Sequence, residues 1–273
     1  MQAMDPDSSS ATDVCRALQA QTAPSRRNIK SICKYISPHI KKLSILLSLL
    51  VNTLSVQCMV YPTAATTFFG LIHQARQFDT IKDSEDPIAL TMMYNPNAAP
   101  KYGSFKRALF GHLSHAVFAG STSVCIKQCW YLCKVSGHQL LYDNHTQITK
   151  LSAEINCMRW ASALMGIVYD FVEKSIARYG EPPFVIPNMR FMKNALIIAD
   201  STREAYMVEE VIDEGADVMF VKYIGNNSVK PFDFISGEAA NRAQFLTFPQ
   251  HVQYMKTKNL AFIGDFQGKF LVT

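Results

Sequence analysis

Apolar positions change their spacing along this chain, and each change predicts an element. Leu151, Ile155, Met158, Ala161, Leu164, Val168 and Phe171 recur at steps of three and four residues, the period of one helix face. Gly180 with Pro182-Pro183 predicts the end of that helix, and Thr149 or Ser152 its N-cap. Upstream, Ala116-Val117-Phe118 and Val124-Cys125-Ile126-Lys127 are short apolar runs split by Gly120-Ser121-Thr122-Ser123, which predicts a hairpin or paired strands. Downstream the runs shorten to strand length at Phe191 to Ala199, Ala205 to Ile212 and Phe220 to Tyr223, with turns at Asp200-Ser201-Thr202 and Asp213-Glu214-Gly215. A polar stretch from Gly225 to Asn241, a helix over Phe245 to Met255 and a buried strand over Leu260 to Gly264 complete the series. Strands, one long helix, then strands and helices together predict the α+β class rather than a regular βαβ repeat.

The first hundred residues carry weaker patterning. Residues 1–25 are rich in Ser, Asp, Ala, Gln and Thr and read as a flexible tail. Residues 26–100 are basic, then apolar, then irregular from Tyr61 onward, with an acidic loop at Asp83-Ser84-Glu85-Asp86-Pro87 and a turn at Tyr94-Asn95-Pro96-Asn97. The apolar run Leu43 to Tyr61 is just long enough to cross a bilayer. Ser44, Ser48, Asn52, Thr53, Ser55 and Gln57 interrupt it, and each would need a polar partner in lipid. A buried or interfacial helix followed by a strand is therefore favoured over a membrane anchor.

Composition narrows the class. Hydrophobic residues make up 48% and charged residues 18%, which excludes an intrinsically disordered chain. The net charge of +5 is largely local, in Arg26, Arg27, Lys30, Lys34, Lys41 and Lys42. That cluster reads as a solvated basic arm, with an anionic phosphate or membrane surface as the alternative and no nucleic-acid partner expected. Seven irregularly spaced cysteines predict reduced thiols and a cytoplasmic protein rather than a disulfide framework. Cys125, Cys129 and Cys133, with His112, His115 and His138 nearby, lack the paired short loops of a zinc ribbon. Asn144-His145-Thr146 satisfies a glycosylation pattern that a thiol-rich chain leaves idle.

A few residues have the chemistry for a site. Lys127 closes an apolar strand, where an ammonium can meet a nucleotide phosphate; the plain alternative is a snorkelling surface lysine. Glu154 is expected in the first helical turn, where it can pair with Lys127 or simply complement the helix dipole. In Asp265-Phe266-Gln267-Gly268 a carboxylate and an amide two apart can present two oxygens to Mg²⁺, although such a turn also closes strands without any metal.

Taken in order, these pieces form a series. It runs through Ile155 to Ile176, Pro182-Pro183-Phe184, Tyr206-Met207-Val208-Glu209-Glu210 and Phe220-Val221-Lys222-Tyr223 with Asn226. It ends with Phe245 to Tyr254 and Ala261-Phe262-Ile263-Gly264-Asp265-Phe266-Gln267-Gly268. The series resembles the α-type atypical protein kinases, especially their fungal branch. Gly103-Ser104-Phe105-Lys106 and Val124 to Lys127 look like that branch's N-lobe loop and strand, so the likeness covers about residues 103–273, and the domain is placed at 101–273.

The resemblance implies a two-lobed α-kinase-like fold that holds ATP and Mg²⁺ between its lobes. It implies Ser/Thr protein kinase activity on a protein substrate. Lys127 would contact ATP phosphates with Glu154 as partner, and Glu209 would sit at the adenine side. Lys222 and Asn226 would line the nucleotide cleft, His251 would precede the metal-binding segment, and Asp265 and Gln267 would coordinate Mg²⁺.

In the family, Asp-x-Gln-Gly continues into Thr-Asp-Pro, whose aspartate orients the substrate hydroxyl. Here the sequence reads Gly268-Lys269-Phe270-Leu271-Val272-Thr273, without the matching general-base aspartate. Phe-Val-Lys-Tyr is also followed by Ile224-Gly225 rather than by a run of asparagines. Loss of a positioned base costs a factor of about 10² to 10⁴. The expectation is thus a C-terminally truncated kinase domain with an incomplete C-lobe. The alternatives are a non-catalytic ATP-binding pseudokinase or interaction module, and a membrane-tethered scaffold.

Overall fold

The computed structural model describes residues 53–74, 79–84, 86–118, 120–211, 220–225 and 228–268, all within one compact unit that begins at Thr53. The expected tail, the basic cluster, the first part of the apolar run 43–61, the turn at Asp213-Glu214-Gly215 and Asn226 lie outside the described residues. The strands are β1 (Leu54–Pro62), β2 (Ile88–Tyr94), β3 (Lys101–Tyr102), β4 (Lys106–Leu113), β5 (Ser123–Leu132) and β6 (Gln139–Leu141). They continue with β7 (Asn194–Ala199), β8 (Ala205–Glu210), β9 (Val221–Ile224) and β10 (Phe266–Gly268). The helices are α1 (Phe68–Gln74), α2 (Asn144–Tyr179) and α3 (Gly237–Lys256).

Six of the strands close on themselves. The order β4-β2-β1-β7-β8-β5 returns to β4 through a β4–β5 ladder, and every pairing is antiparallel. Closure leaves these six without a free edge, while β3 and β6 extend β4 and β5 outside the ring. Alternation along each strand then sorts side chains between two sides. Val124 and Ile126 of β5, Tyr206 and Val208 of β8, and Ala195, Ile197 and Ala199 of β7 fill the interior with Val60, Met92, Leu109 and Leu113. Gly111 belongs to this packing, because a Cβ there would meet Met93 O and Ile126 Cδ1, each at 2.6 Å.

Part of the outer face of β5, β7 and β8 is also apolar, and α2 covers that part. Leu151 and Ile155 pack on Cys129, Leu196, Ile198, Ala205 and Met207. This explains why β7 is buried at every position: one face looks into the barrel and the other meets the helix. With 36 residues α2 is about 54 Å long at 1.5 Å per residue, so it outruns the barrel. Further along, Met165 and Val168 pack with Ala243, Leu246 and Val252 of α3, with Tyr223 and Ile224 of β9, and with Phe266 of β10. Each fully buried aliphatic side chain contributes about 1.5–3 kcal/mol, so both contacts are substantial.

Several expectations need correction. The two-lobed α-kinase-like α+β fold with an incomplete C-lobe is not what forms. The described residues make an eight-stranded sheet of which six strands form a closed antiparallel barrel, with a two-stranded ladder and three helices beside it. Element order alone had suggested α+β because it cannot show that β1 and β2 pair with later strands. A boundary at residue 101 falls between two strands of this one barrel, since β1 and β2 precede it.

The remaining corrections concern single elements. The strand expected at the end of the apolar run needs none, since residues 54–61 form β1, paired on both sides, and no helix among the described residues is long and apolar enough to cross a membrane. The preceding strand that pairs with β5 is β4, while Ala116 to Phe118 forms only an isolated bridge from Phe118 to Ser121. Leu260 to Gly264 is not a strand, and Leu260 is 83% exposed. Finally, α2 begins at Asn144, capped by Asp143, whose carboxylate accepts from the Thr146 N–H at 3.0 Å. Gly180 ends α2 at φ 86°, a conformation glycine adopts without strain.

Candidate functional site

The outer face of β4, β5 and β8 carries an unusual set of charges. Strand alternation puts Cys125, Lys127 and Cys129 of β5 outward, with Glu209 opposite Cys125 and Lys106 opposite Cys129. Lys127 is therefore in mid-strand rather than at a strand end. Its ammonium lies 2.5 Å from Glu209 Oε2, and the Glu209 side chain is 4% exposed. A carboxylate so buried requires a cation beside it.

Glu154 does not pair with Lys127. Because α2 starts at Asn144, Glu154 lies well inside the helix, and its carboxylate binds the ammonium of Lys106. The dipole-capping alternative fails for the same reason, since the first turn of α2 holds no acid. Burial lowers the proton affinity of Lys106, and the neighbouring positive charge of Lys127 lowers it further. Burial also pushes the Cys125 and Cys129 thiols up, so they stay neutral beside the lysines.

Gln147 sets the position of α2, and the sequence reading missed it. β8 pairs with β5 up to Lys127, and β6 joins at Trp130. In the gap, the Cys129 N–H donates to Gln147 Oε1 at 2.9 Å, and Gln147 Nε2 donates to the Cys129 carbonyl at 2.6 Å. The side-chain amide thus stands in for a missing strand. A signal existed, because Gln147 continues the four-residue step of Leu151 and Ile155 one turn backward. Extending that apolar stripe puts a polar amide on the buried face, where it must find partners.

A second cluster lies on the β9–β10 ladder. Gln267 faces Lys222 across the ladder, and Asp265 Oδ1 is 3.4 Å from the Lys222 ammonium. Asp265 precedes β10 instead of ending a buried strand, and a register shift follows Phe266. Its Oδ1 is buried with no hydrogen bond, so the Lys222 ammonium is its charge partner, whereas Gln267 is exposed. Asp265 and Gln267 thus supply at most two protein oxygens to a hard cation, and Lys222 competes for one of them.

The other expected residues fall elsewhere. His251 is on the exposed side of α3. Cys125, Cys129 and Cys133 are free thiols, and among the described residues no group of three or more His, Cys, Asp or Glu converges to hold a metal ion. Asn144 donates its side-chain amide to the Thr202 carbonyl at 2.9 Å. An open hollow lined by Phe220, Val221, Lys222, Phe234, Ile235, Ser236 and Ala239 adjoins the second cluster, and another is lined by Ile176 and residues 181–186. No protein-family model matches the chain, and no curated protein matches its sequence.

Proposed function

We propose that this protein binds MgATP and, as its resemblance to the α-type kinases implies, passes the γ-phosphoryl group to serine or threonine of a protein substrate. The observation that carries the reading is that two lysines the resemblance singles out are each held by a carboxylate it also singles out, although the resemblance implied Glu154 beside Lys127 and Glu209 at the adenine side. Lys127 meets Glu209, and Lys222 meets Asp265 with Gln267 alongside, although each set comes from distant parts of the sequence. Lys127 supplies a point charge for the phosphates, and Glu209 holds that charge in place. Asp265 and Gln267 offer oxygens to Mg²⁺, which when bound neutralises developing phosphate charge. Lys222 compensates the Asp265 carboxylate.

Equilibrium binding of ATP with and without Mg²⁺ tests the reading, together with transfer of labelled γ-phosphate to acceptor proteins. Lys127→Ala is expected to weaken ATP binding about tenfold or more, the size of a lost charge-assisted contact. Asp265→Asn is expected to reduce the Mg²⁺ dependence. Wild-type protein with no ATP affinity would overturn the proposal. Affinity without transfer would restrict the function to nucleotide binding.

A further inference from the structure

Both lysines on the outer face of the barrel are engaged by carboxylates of the chain itself, and those carboxylates sit on different kinds of element. Glu209 belongs to β8, a strand paired on both sides, and its side chain is buried. Glu154 belongs to α2, and its side chain is 32% exposed. A polyanion arriving at Lys106 and Lys127 competes with both. Glu209 has no way into water from a strand paired on both sides, and away from Lys127 its charge would stay buried and unpaired. Glu154 can turn into water for the loss of one ion pair, because Gln147, Leu151 and Ile155 keep α2 docked without it.

We propose that Glu154 is an intramolecular competitor for polyphosphate, which holds Lys106 closed until the ligand's phosphates displace it. The inference rests on the reading that polyphosphate is the ligand of Lys127. It predicts a sign opposite to that of a supporting carboxylate. A glutamate that positions a lysine for the ligand weakens binding when removed, whereas a competitor strengthens it.

The test is calorimetry with inorganic tripolyphosphate on the full chain. Glu154→Gln is expected to bind about two- to five-fold more tightly than wild type, the worth of a partly exposed ion pair. The gain is expected to vanish in a Lys106→Met background, which a general change in folding would not produce. If Lys127→Ala abolishes binding while Glu154→Gln binds equally or more weakly, the competitor role is overturned and the site stands. If Lys127→Ala binds like wild type, the proposed function falls, and this inference with it.

Discussion

Replacing Gln147 with leucine keeps the bulk of a fully buried side chain and removes both of its bonds to the main chain of Cys129. Neither freed group can reach water, since Cys129 is 6% exposed and α2 still covers it. A buried donor or acceptor left without a partner costs about 1–3 kcal/mol, so the two together predict a loss of about 2–6 kcal/mol. For a unit of this size that lowers the melting temperature by roughly 4–24 °C. Urea denaturation followed by circular dichroism measures the change directly. Gln147→Glu separates the two bonds, because a carboxylate still accepts from the Cys129 N–H but cannot donate to its carbonyl. A loss below about 0.5 kcal/mol for Gln147→Leu would refute the reasoning, because it would mean that another group takes over the Cys129 main chain.

Gly111→Ala places a methyl against a backbone carbonyl at 2.6 Å inside the closed barrel, and is expected to cost about 1–3 kcal/mol in urea denaturation. For acid stability, the Thr146 backbone N–H and then its hydroxyl hold the Asp143 carboxyl below its usual range. A lowered folded value means the contribution is fully present above the ordinary aspartate range near about pH 4, and is lost as pH falls through the lowered value. Melting curves across the acid range are expected to show a steeper decline for wild type than for Asp143→Asn, and parallel curves would sink the argument.

Local patterning succeeded where neighbours in sequence determine structure. The three- and four-residue steps from Leu151 to Phe171 describe the body of α2, and Gly180 ends it as expected. The runs Phe191 to Ala199 and Ala205 to Ile212 hold β7 and β8. The start of α2 was misread because Asp143 caps it before the apolar stripe becomes continuous, and that error carried Glu154 into a first turn it does not occupy. Strand β2 was hidden because its alternation is short, with half-buried Thr91 and Met93 between buried Leu90, Met92 and Tyr94, whereas the strand expected at the end of the run 43–61 is β1.

The sequence by itself determined which segments become strands or helix wherever a repeating period and a stop signal lie within a few residues of each other. It also singled out Lys127, Asp265 and Gln267 as candidate site residues, and the resemblance added Glu209 and Lys222. Only the tertiary structure decided that six strands close into a barrel, because closure depends on ladders between segments remote in sequence, such as β1 with β7. It also decided the charge partners. Lys127 is held by Glu209 and Lys106 by Glu154, since a strand's outward face and the docking of α2 set those distances, and no spacing along the chain encodes them.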